Sequence, residues 1–378
     1  MVKFILKPKS EYIDPDKKLS GMCCAIPFRH LEIHPGGDTS ICCLTFLPEF
    51  TGNILQDGPE GILKNVKRLQ IQNDMKKSKF SYCNDQCVQL SSYLNGGTNY
   101  TDIIPVDQLP STLSSSEFQI YFNYDNSCNL QCPSCRTKLI FYNPTDSNDE
   151  QGQQINLVHE KVKQLVELCS KTYNSVLLSI TGSGDAFASI TYWNYLLELS
   201  TNGIPSNVRL NILTNGVLMT ENNWNSIKPL LSSIRQIEVS VDAATEPTYK
   251  IVRKNGNFKK LCQNLETLDR LIQQGCFPKL ECWTNNFIVQ KNNYEELIDF
   301  VKWQLSFKSK PHIATTLIAQ WAHISNEKFA TMAIWQEGNP DREKLRAILQ
   351  NPIFKHPQVN LGNLSSLENE HPFKNNIR

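Results

Sequence analysis

The sequence predicts an α/β protein, a partial (β/α)6 barrel of the TIM type preceded by a small cysteine-rich auxiliary domain of β-hairpin and helix. Strand-like and helix-like segments alternate six times from residue 118 onward. Such alternation is typical of a parallel sheet with right-handed crossovers. Six cysteines lie within residues 23–87, and clustered cysteines without a signal peptide indicate a metal centre rather than disulfides.

Changes in composition and period divide the chain of 378 residues into four predicted segments. They are an auxiliary cluster domain (1–93), a linker (94–117), the barrel (118–324), and a C-terminal helix and tail (325–378). The linker is rich in Gly, Pro, Ser and Thr, so we expect it to run along the barrel surface. The last segment carries one predicted helix at 339–350.

Net charge and hydropathy give no support for nucleic acid or a membrane as a partner, although a local basic patch stays open. Lys and Arg number 38 against 37 Asp and Glu, which gives no electrostatic reason to expect nucleic acid or an anionic membrane. The first apolar run is broken by Lys7 and Pro8, and nowhere do about eighteen apolar residues follow one another. We therefore expect a cytoplasmic protein that binds neither nucleic acid nor membrane.

The auxiliary segment begins with two predicted strands joined by a turn at Gly36-Gly37. A tight hairpin brings the far ends of its strands together. Paired cysteines lie at that open end, and a further pair follows a helical stretch: Cys23 and Cys24, Cys42 and Cys43, Cys83 and Cys87. From these residues alone, a zinc ribbon and an iron–sulfur site are equally good interpretations.

The six predicted barrel strands are 118–125, 175–182, 208–215, 234–242, 279–289 and 311–320. Buried parallel strands are usually apolar throughout, yet each of these alternates apolar and polar residues. The predicted polar faces are Gln119, Tyr121 and Asn123; Ser179 and Thr181; Asn211 and Asn215; Glu238, Ser240 and Asp242; Glu281, Trp283 and Asn285; His312, Thr316 and Gln320. This pattern predicts a wet interior that holds a polar ligand.

Cys128, Cys132 and Cys135 form a C-x3-C-x2-C triplet after the first barrel strand. Barrel active sites are built from loops at this end of the strands. A [4Fe–4S] cluster is usually held by four thiolates, so three thiolates leave one iron open for another ligand. Zinc with a fourth ligand from elsewhere is the alternative, although zinc sites more often pair C-x2-C with a distant second pair.

The stretch YFNYDNSCNLQCPSCR resembles the signature of the radical SAM superfamily. The resemblance implies a [4Fe–4S] cluster on Cys128, Cys132 and Cys135, with S-adenosylmethionine (SAM) bound to the open iron. It also implies an electron donor, either a reductase or a flavodoxin or ferredoxin. Reductive cleavage of SAM would then give a 5′-deoxyadenosyl radical, which removes a hydrogen atom from a substrate in the barrel.

The cysteine-rich segment resembles the SPASM and twitch auxiliary domains of that superfamily. The spacing Cys24-x12-Gly37-x4-Cys42, the GNI at 52–54 and the closing cysteine pair carry this resemblance. It implies an auxiliary [4Fe–4S] cluster in addition to the one on the triplet. The further cysteines of a full SPASM pattern are absent, which indicates one auxiliary cluster rather than two. Its implied ligands are Cys24, Cys42, Cys83 and Cys87, with Cys23 or Cys43 as alternates.

Further loops resemble the superfamily's SAM pocket. Ser183-Gly184-Asp185 occupies the place of the GGE motif, which implies contact with the amino end of SAM. The segment SVDAATEPTYKIVR implies that Ser240 and Arg253 hold the ribose and the carboxylate. Asn215, at the end of the third strand, is a further candidate for the barrel interior.

Four cysteines stand alone, and core packing is the usual explanation for each: Cys169, Cys262, Cys276 and Cys282. Some peptide epimerases of the superfamily use a cysteine as hydrogen-atom donor. Cys282, on the fifth predicted strand, is our candidate for such a catalytic cysteine.

The resemblance favours a peptide or protein substrate and the modification of a ribosomal peptide, because most enzymes with SPASM or twitch modules act on such substrates. No leader-peptide-binding domain is evident in the sequence, so we expect substrate recognition by the auxiliary segment, the linker or a separate protein. Two other functions stay open. One is a radical SAM enzyme for a small metabolite, and the other is a non-catalytic iron–sulfur or zinc scaffold.

Overall fold

A computed structural model describes residues 18–84, 87–94, 102–109, 117–320 and 324–368. Its strands are β1 (Met22–Cys24), β2 (His30–Ile33), β3 (Thr39–Ser40), β4 (Ile103–Pro105), β5 (Glu117–Phe122), β6 (Ser175–Ile180), β7 (Val208–Thr214), β8 (Ile234–Ser240), β9 (Cys282–Val289), β10 (His312–Leu317) and β11 (Val359–Asn360). The α-helices are α1 (Ile26–Arg29), α2 (Ile54–Leu63), α3 (Val66–Met75), α4 (Val88–Leu94), α5 (Glu150–Thr172), α6 (Ile190–Asn202), α7 (Glu221–Ser226), α8 (Glu246–Val252), α9 (Phe258–Gln273), α10 (Leu297–Leu305), α11 (Asn326–Met332), α12 (Arg342–Leu349) and α13 (Ser365–Glu368).

The architecture is α/β around a nine-stranded sheet with the order β11-β10-β9-β8-β7-β6-β5-β2-β3. Every neighbouring pair in this sheet is parallel except β2 and β3. Strands β5 to β10 confirm the six predicted barrel strands. The fold is therefore consistent with a partial barrel of the predicted kind.

The first long helix shows why the outer layer forms. The Asp149 side chain accepts a hydrogen bond from the Gly152 backbone N–H at 2.9 Å and caps α5. Apolar residues then recur every three or four positions and are buried in the core: Ile155, Val158, Val162, Leu165 and Cys169. This spacing places one apolar stripe of α5 against the interior.

The auxiliary segment joins the barrel sheet directly. Strand β2 pairs in parallel with β5, and the predicted hairpin is confirmed only as a short antiparallel pair of β2 with β3. Strand β1, which carries Cys23 and Cys24, pairs instead with β4 from the predicted linker. The other predicted linker residues include 95–101 and 110–116, which lie outside the described ranges.

One face of the sheet is polar, and the register aligns its side chains across the strands. Tyr121, Ser179 and Asn211 are neighbours on β5, β6 and β7. Glu238 on β8 lies beside Thr284 on β9. The opposite face of β5 is apolar, with Phe118, Ile120 and Phe122 buried. A polar interior is thus formed by strands whose other face packs against helices.

The predicted face of β9 is wrong. Thr284 and Asn286 are aligned with Glu238 and Ser240 on the polar face, whereas Trp283 and Asn285 point to the helical side. There the Asn285 side-chain N–H donates to Gln304 Oε1 at 2.6 Å. Trp283 Nε1 donates to Asn285 Oδ1 at 2.9 Å. The alternation pattern therefore predicted the wrong face of β9, because the buried Asn285 amide has its hydrogen-bond partner on a helix.

An ion-pair chain lies at the amino-terminal end of the polar face. Arg235 at the start of β8 binds both Glu117 and Glu281. Ser175 Oγ donates to the same Glu117 carboxylate at 3.1 Å. The chain connects β5, β6 and β8 at the end of the sheet opposite the cysteine triplet.

The C-terminal segment also joins the sheet. The predicted helix at 339–350 is confirmed as α12. The predicted tail from Asn351 contains β11, which pairs in parallel with β10 at the sheet edge; residues 369–378 lie outside the described ranges. Within the described residues, no helix is long and apolar enough to span a membrane.

Candidate active site

The loop after β5 carries the cysteine triplet and is held by its own backbone. The Cys128 N–H donates to Ile140 O at 2.9 Å, and the N–H groups of Cys135 and Arg136 both donate to Cys132 O. Cys128 and Cys132 are buried, and Cys135 packs against them at half exposure. The loop therefore brings the three predicted thiols into one cluster at the carboxyl end of the first barrel strand.

Each thiol of the triplet faces a hydrogen-bond donor. Asn215 Nδ2 lies 3.7 Å from Cys128 Sγ, and the Leu130 N–H lies 3.4 Å from the same sulfur. Arg253 Nη1 lies 3.6 Å from Cys132 Sγ. Arg136 Nη2 lies 3.5 Å from Cys135 Sγ. Donors and positive charge around a sulfur favour its thiolate form, which is the form that binds metals.

Burial has the opposite effect and favours the protonated form of the Cys128 and Cys132 thiols. It raises the pKa of the Cys128 thiol to about 12, with a further increase from the Asp185 charge and a partial decrease from Arg136. Burial likewise raises the pKa of Cys132, and the Arg253 guanidinium counteracts this shift. A bound metal would reverse this balance, because a coordinated thiol loses its proton.

Arg136, which directly follows the triplet, was not among the predicted site residues. Its guanidinium donates to Asn126 O at 2.7 Å and to Ser183 O at 2.8 Å. These bonds join the triplet loop to the loop after β6. The only sequence feature that could have indicated this function is its position next to Cys135.

Arg253, the predicted carboxylate-binding arginine, lies beside Cys132, and Asp242 orients it. Its Nη2 forms an ion pair with Asp242 Oδ2 at 2.7 Å. Both side chains are largely buried. The Ile288 backbone N–H donates to the other Asp242 oxygen at 2.8 Å. Arg253 Nε is buried and has no hydrogen-bond partner among the described residues. An unpaired donor beside Cys132 is available to an added ligand.

The predicted Ser183-Gly184-Asp185 loop packs directly against the triplet loop. A Cβ atom at Gly184 would lie 2.6 Å from Asp125 O and 2.7 Å from Ser127 O. Only glycine permits this approach. The Ser183 hydroxyl donates to Asn123 O at 3.0 Å. Ser183 and Gly184 thus lie beside the cluster of thiols.

Asp185 is completely buried, and both of its carboxylate oxygens accept hydrogen bonds within the protein. Oδ2 accepts from the Asn215 N–H at 2.7 Å and from Thr214 Oγ1 at 2.9 Å, while Oδ1 accepts from the Phe187 N–H at 3.0 Å. The carboxylate therefore connects the loops after β6 and β7. It also positions Asn215, whose amide faces Cys128 and Asn129.

Two other predicted site residues lie apart from this cluster. Ser240 ends β8 on the polar face, beside Asn286. Cys282 begins β9, and its thiol is 3.0 Å from Thr284 Oγ1. Cys282 lies seven positions before Val289, the carboxyl end of β9. This corresponds to about 23 Å along the strand at roughly 3.3 Å per residue. Cys282 thus lies at the end of the sheet opposite the triplet.

A second group of cysteines lines a cavity of about 280 Å³ under the N-terminal segment. Five cysteines contribute to its wall, namely Cys24, Cys42, Cys43, Cys83 and Cys87. Burial raises the pKa of the Cys42 thiol, and the neighbouring cysteines raise it further. All four predicted auxiliary ligands therefore face one space.

The two predicted alternates differ in position. Cys43 lines the cavity, whereas Cys23 is fully buried and is not part of the wall. Adjacent residues on a strand point to opposite sides, so Cys23 faces away from Cys24. In the ranges described, no three His, Cys, Asp or Glu side chains are close enough to hold a single metal ion.

The fold and this site define a class of protein, an α/β barrel-type protein with a thiol-rich loop where barrel active sites lie. Residues 123–303 match the family model described as the radical SAM superfamily. This part of the chain is therefore similar to the radical SAM superfamily. No curated protein matches the chain significantly.

Two similar solved structures share little sequence with this chain. One is a radical S-adenosylmethionine methyltransferase, TsrM, from Kitasatospora setae with tryptophan substrate and a SAM analogue, at 13% identity and TM-score 0.34 over 54% of this chain and 36% of that chain. The other is HydG, a maturase of the [FeFe]-hydrogenase, at 16% identity and TM-score 0.36 over 63% of this chain and 50% of that chain. The matched regions thus span half or less of those proteins.

Proposed function

We propose that the protein is a radical SAM enzyme that binds two [4Fe–4S] clusters and acts on a peptide or protein. The observation that carries this proposal is the triplet, in which each of three clustered thiols faces its own hydrogen-bond donor. Cys128, Cys132 and Cys135 would hold the first cluster.

The residues around the triplet fit a cluster with a bound SAM. Three thiols satisfy three of the four ligand positions of such a cluster. The buried Arg253 Nε lacks a partner within the described structure, and its guanidinium fork suits a carboxylate. Gly184 lets the backbone of its loop come close to the triplet. These features favour the cofactor set over a closed zinc site.

When bound, the cluster and SAM supply the one-electron cleavage that starts radical chemistry. The chain's own residues would position these groups. Arg253, fixed by Asp242, would hold the carboxylate of SAM, and Ser183, Gly184 and Ser240 would contact the remainder. We propose that Asp185 positions Asn215 and the two loops rather than binding the amino group, because its oxygens already accept three hydrogen bonds.

The auxiliary cavity is the proposed site of the second cluster. Cys24, Cys42, Cys83 and Cys87 would be its ligands, with Cys43 as the alternate that faces the same cavity. A cluster of several irons can occupy the space between thiols that lie around a cavity. A single zinc ion instead needs four ligand atoms at about 2.0–2.3 Å from the metal. A fully ligated auxiliary cluster would serve electron transfer.

The proposed substrate lies on the polar face of the sheet, below the triplet. We propose a peptide or protein substrate and a reductase, flavodoxin or ferredoxin as electron donor. A separate recognition protein could present the substrate. The support for a peptide is the resemblance of the cysteine-rich segment to SPASM and twitch modules.

Anaerobically reconstituted protein should contain about eight irons per chain, because two four-iron clusters are expected. Iron analysis and the absorbance near 400 nm would measure this content. Stoichiometric zinc without that absorbance would contradict the proposal and favour the zinc scaffold.

Replacing Cys83 and Cys87 by alanine should lower the iron content from about eight to about four, since the triplet keeps its own ligands. The Cys23→Ala variant is the matched control, because this buried cysteine lies outside the cavity wall. It should retain about eight irons. Equal iron loss in both variants would show that the cavity does not define the second cluster.

A further inference from the structure

The middle of the polar face contains a group of side chains that the SAM site does not use. Tyr121, Ser179, Asn211 and Glu238 come from four consecutive strands of the sheet, β5 to β8. The Asn211 side-chain N–H donates to Glu238 Oε1 at 3.0 Å and to Ser179 Oγ at 3.4 Å. These hydrogen bonds fix the orientation of the Asn211 amide.

Glu238 is a half-buried carboxylate that forms no ion pair with any residue of the described ranges. The arginines of β7 and β8 are engaged elsewhere. Arg235 binds Glu117 and Glu281 at the end of the sheet, and Arg209 donates to the backbone oxygens of Ser206 and Val208. Even partial burial of a carboxylate is unfavourable when no positive group pairs with it.

The Asn211 amide provides a second, independent observation. Asn211 is 2% exposed, and its Oδ1 has no hydrogen-bond partner in the described part of the chain. Its N–H group is already committed to Glu238 and Ser179, so the oxygen is left as a buried acceptor. An unsatisfied buried acceptor is uncommon, because the group has lost its water without gaining a partner.

We propose that this group, Tyr121, Asn211 and Glu238, binds a primary ammonium of the substrate. A carboxylate and an amide oxygen supply the acceptors that an ammonium needs for its three N–H groups. The Tyr121 hydroxyl, on the same face of the sheet beside Ser179, can accept a further hydrogen bond. A substrate carboxylate or phosphate does not fit, because both unpaired groups are acceptors.

The depth of the group suits a substrate that extends toward the triplet. Glu238 lies two residues before Ser240, the end of β8, which is about 7 Å deeper in the interior at roughly 3.3 Å per residue. This inference rests on the proposed function for the location of the substrate. The ammonium could belong to a lysine side chain or to the amino terminus of a peptide.

Calorimetric titration of the reconstituted full chain with three probes tests the proposal. The probes are Nα-acetyl-lysine methylamide, norleucine methylamide, and Nα-acetyl-norleucine methylamide, which carry a side-chain ammonium, an α-ammonium and no charge. At least one cation should bind about tenfold more tightly than the neutral probe, as expected for a charge-assisted hydrogen bond. The better cation identifies the source of the ammonium.

The Glu238→Gln variant should reduce this preference to less than about twofold, because glutamine keeps the acceptor for Asn211 but removes the charge. Glu266→Gln, on the exposed side of α9, makes the same charge change and should keep the preference. Equal binding of all three probes, no binding of either cation, or an unchanged preference in Glu238→Gln would overturn the proposal.

Cleavage of SAM by the parent protein, measured on the same preparation, separates this inference from the proposed function. A parent that cleaves SAM but shows no preference for a cation contradicts the ammonium site alone. A parent that fails to cleave SAM contradicts the proposed function.

Discussion

Replacing Cys128, Cys132 and Cys135 by alanine should abolish the release of 5′-deoxyadenosine from SAM in the presence of dithionite. The three thiols are the proposed ligands of the cluster, and no other cysteine lines that loop in the described structure. Loss of all three should leave only background cleavage, because the cluster supplies the electron for this reaction. Chromatography of the anaerobic reaction measures the product.

A matched control replaces two cysteines outside both groups, Cys262 and Cys276, by alanine. Both are partly exposed, so the control tests the general effect of cysteine loss. It should cleave SAM as the parent does. The triple variant should also keep about four irons in the auxiliary cavity, which would show that the chain is folded. Cleavage by the triple variant at the parental rate would refute a radical SAM enzyme.

Arg253→Met should both destabilise the protein and weaken the use of SAM. The change leaves the Asp242 carboxylate buried without its ion-pair partner at 2.7 Å. Breaking a buried pair in this way typically costs about 3–5 kcal/mol of unfolding free energy. Loss of a charge-assisted hydrogen bond should raise the KM for SAM about 10- to 100-fold. Urea unfolding and the SAM dependence of cleavage measure the two effects.

A second substitution separates these effects. Asp242→Asn in the Arg253→Met background removes the isolated charge, so most of the stability should return. The KM for SAM should remain high, because the guanidinium is still absent. If the double variant recovers both quantities, Arg253 stabilises the fold and does not bind SAM.

The sequence predicted the parts of the fold that local pattern determines. Six strands alternated with helices closely enough to be placed within a few residues, and the cysteine spacing located the loop after β5. The exception was β9, where Asn285 is polar but faces a helix because Gln304 satisfies its amide. Alternation of polar and apolar residues shows which side chains are polar. It does not show which polar side chains are buried with a hydrogen-bond partner.

Contacts between distant segments could not be predicted. Strand β2 pairs with β5 across more than eighty residues, and β1 pairs with a strand of the predicted linker. In the site, Arg136 was missed, and Asp242 was predicted only as part of a polar face, because the roles of both depend on partners from other loops. Asp185 was predicted from a motif, but its burial and three internal hydrogen bonds depend on the fold.

Both edges of the nine-stranded sheet are formed by strands of only two residues, β3 (Thr39–Ser40) and β11 (Val359–Asn360). An exposed edge strand offers unpaired backbone groups to another chain and can start aggregation, and very short edge strands limit this risk. The segments before β5 and after α12 therefore do more than extend the barrel. They cover the edges of the long strands β5 and β10, so a chain trimmed to residues 117–320 would expose both edges to other chains.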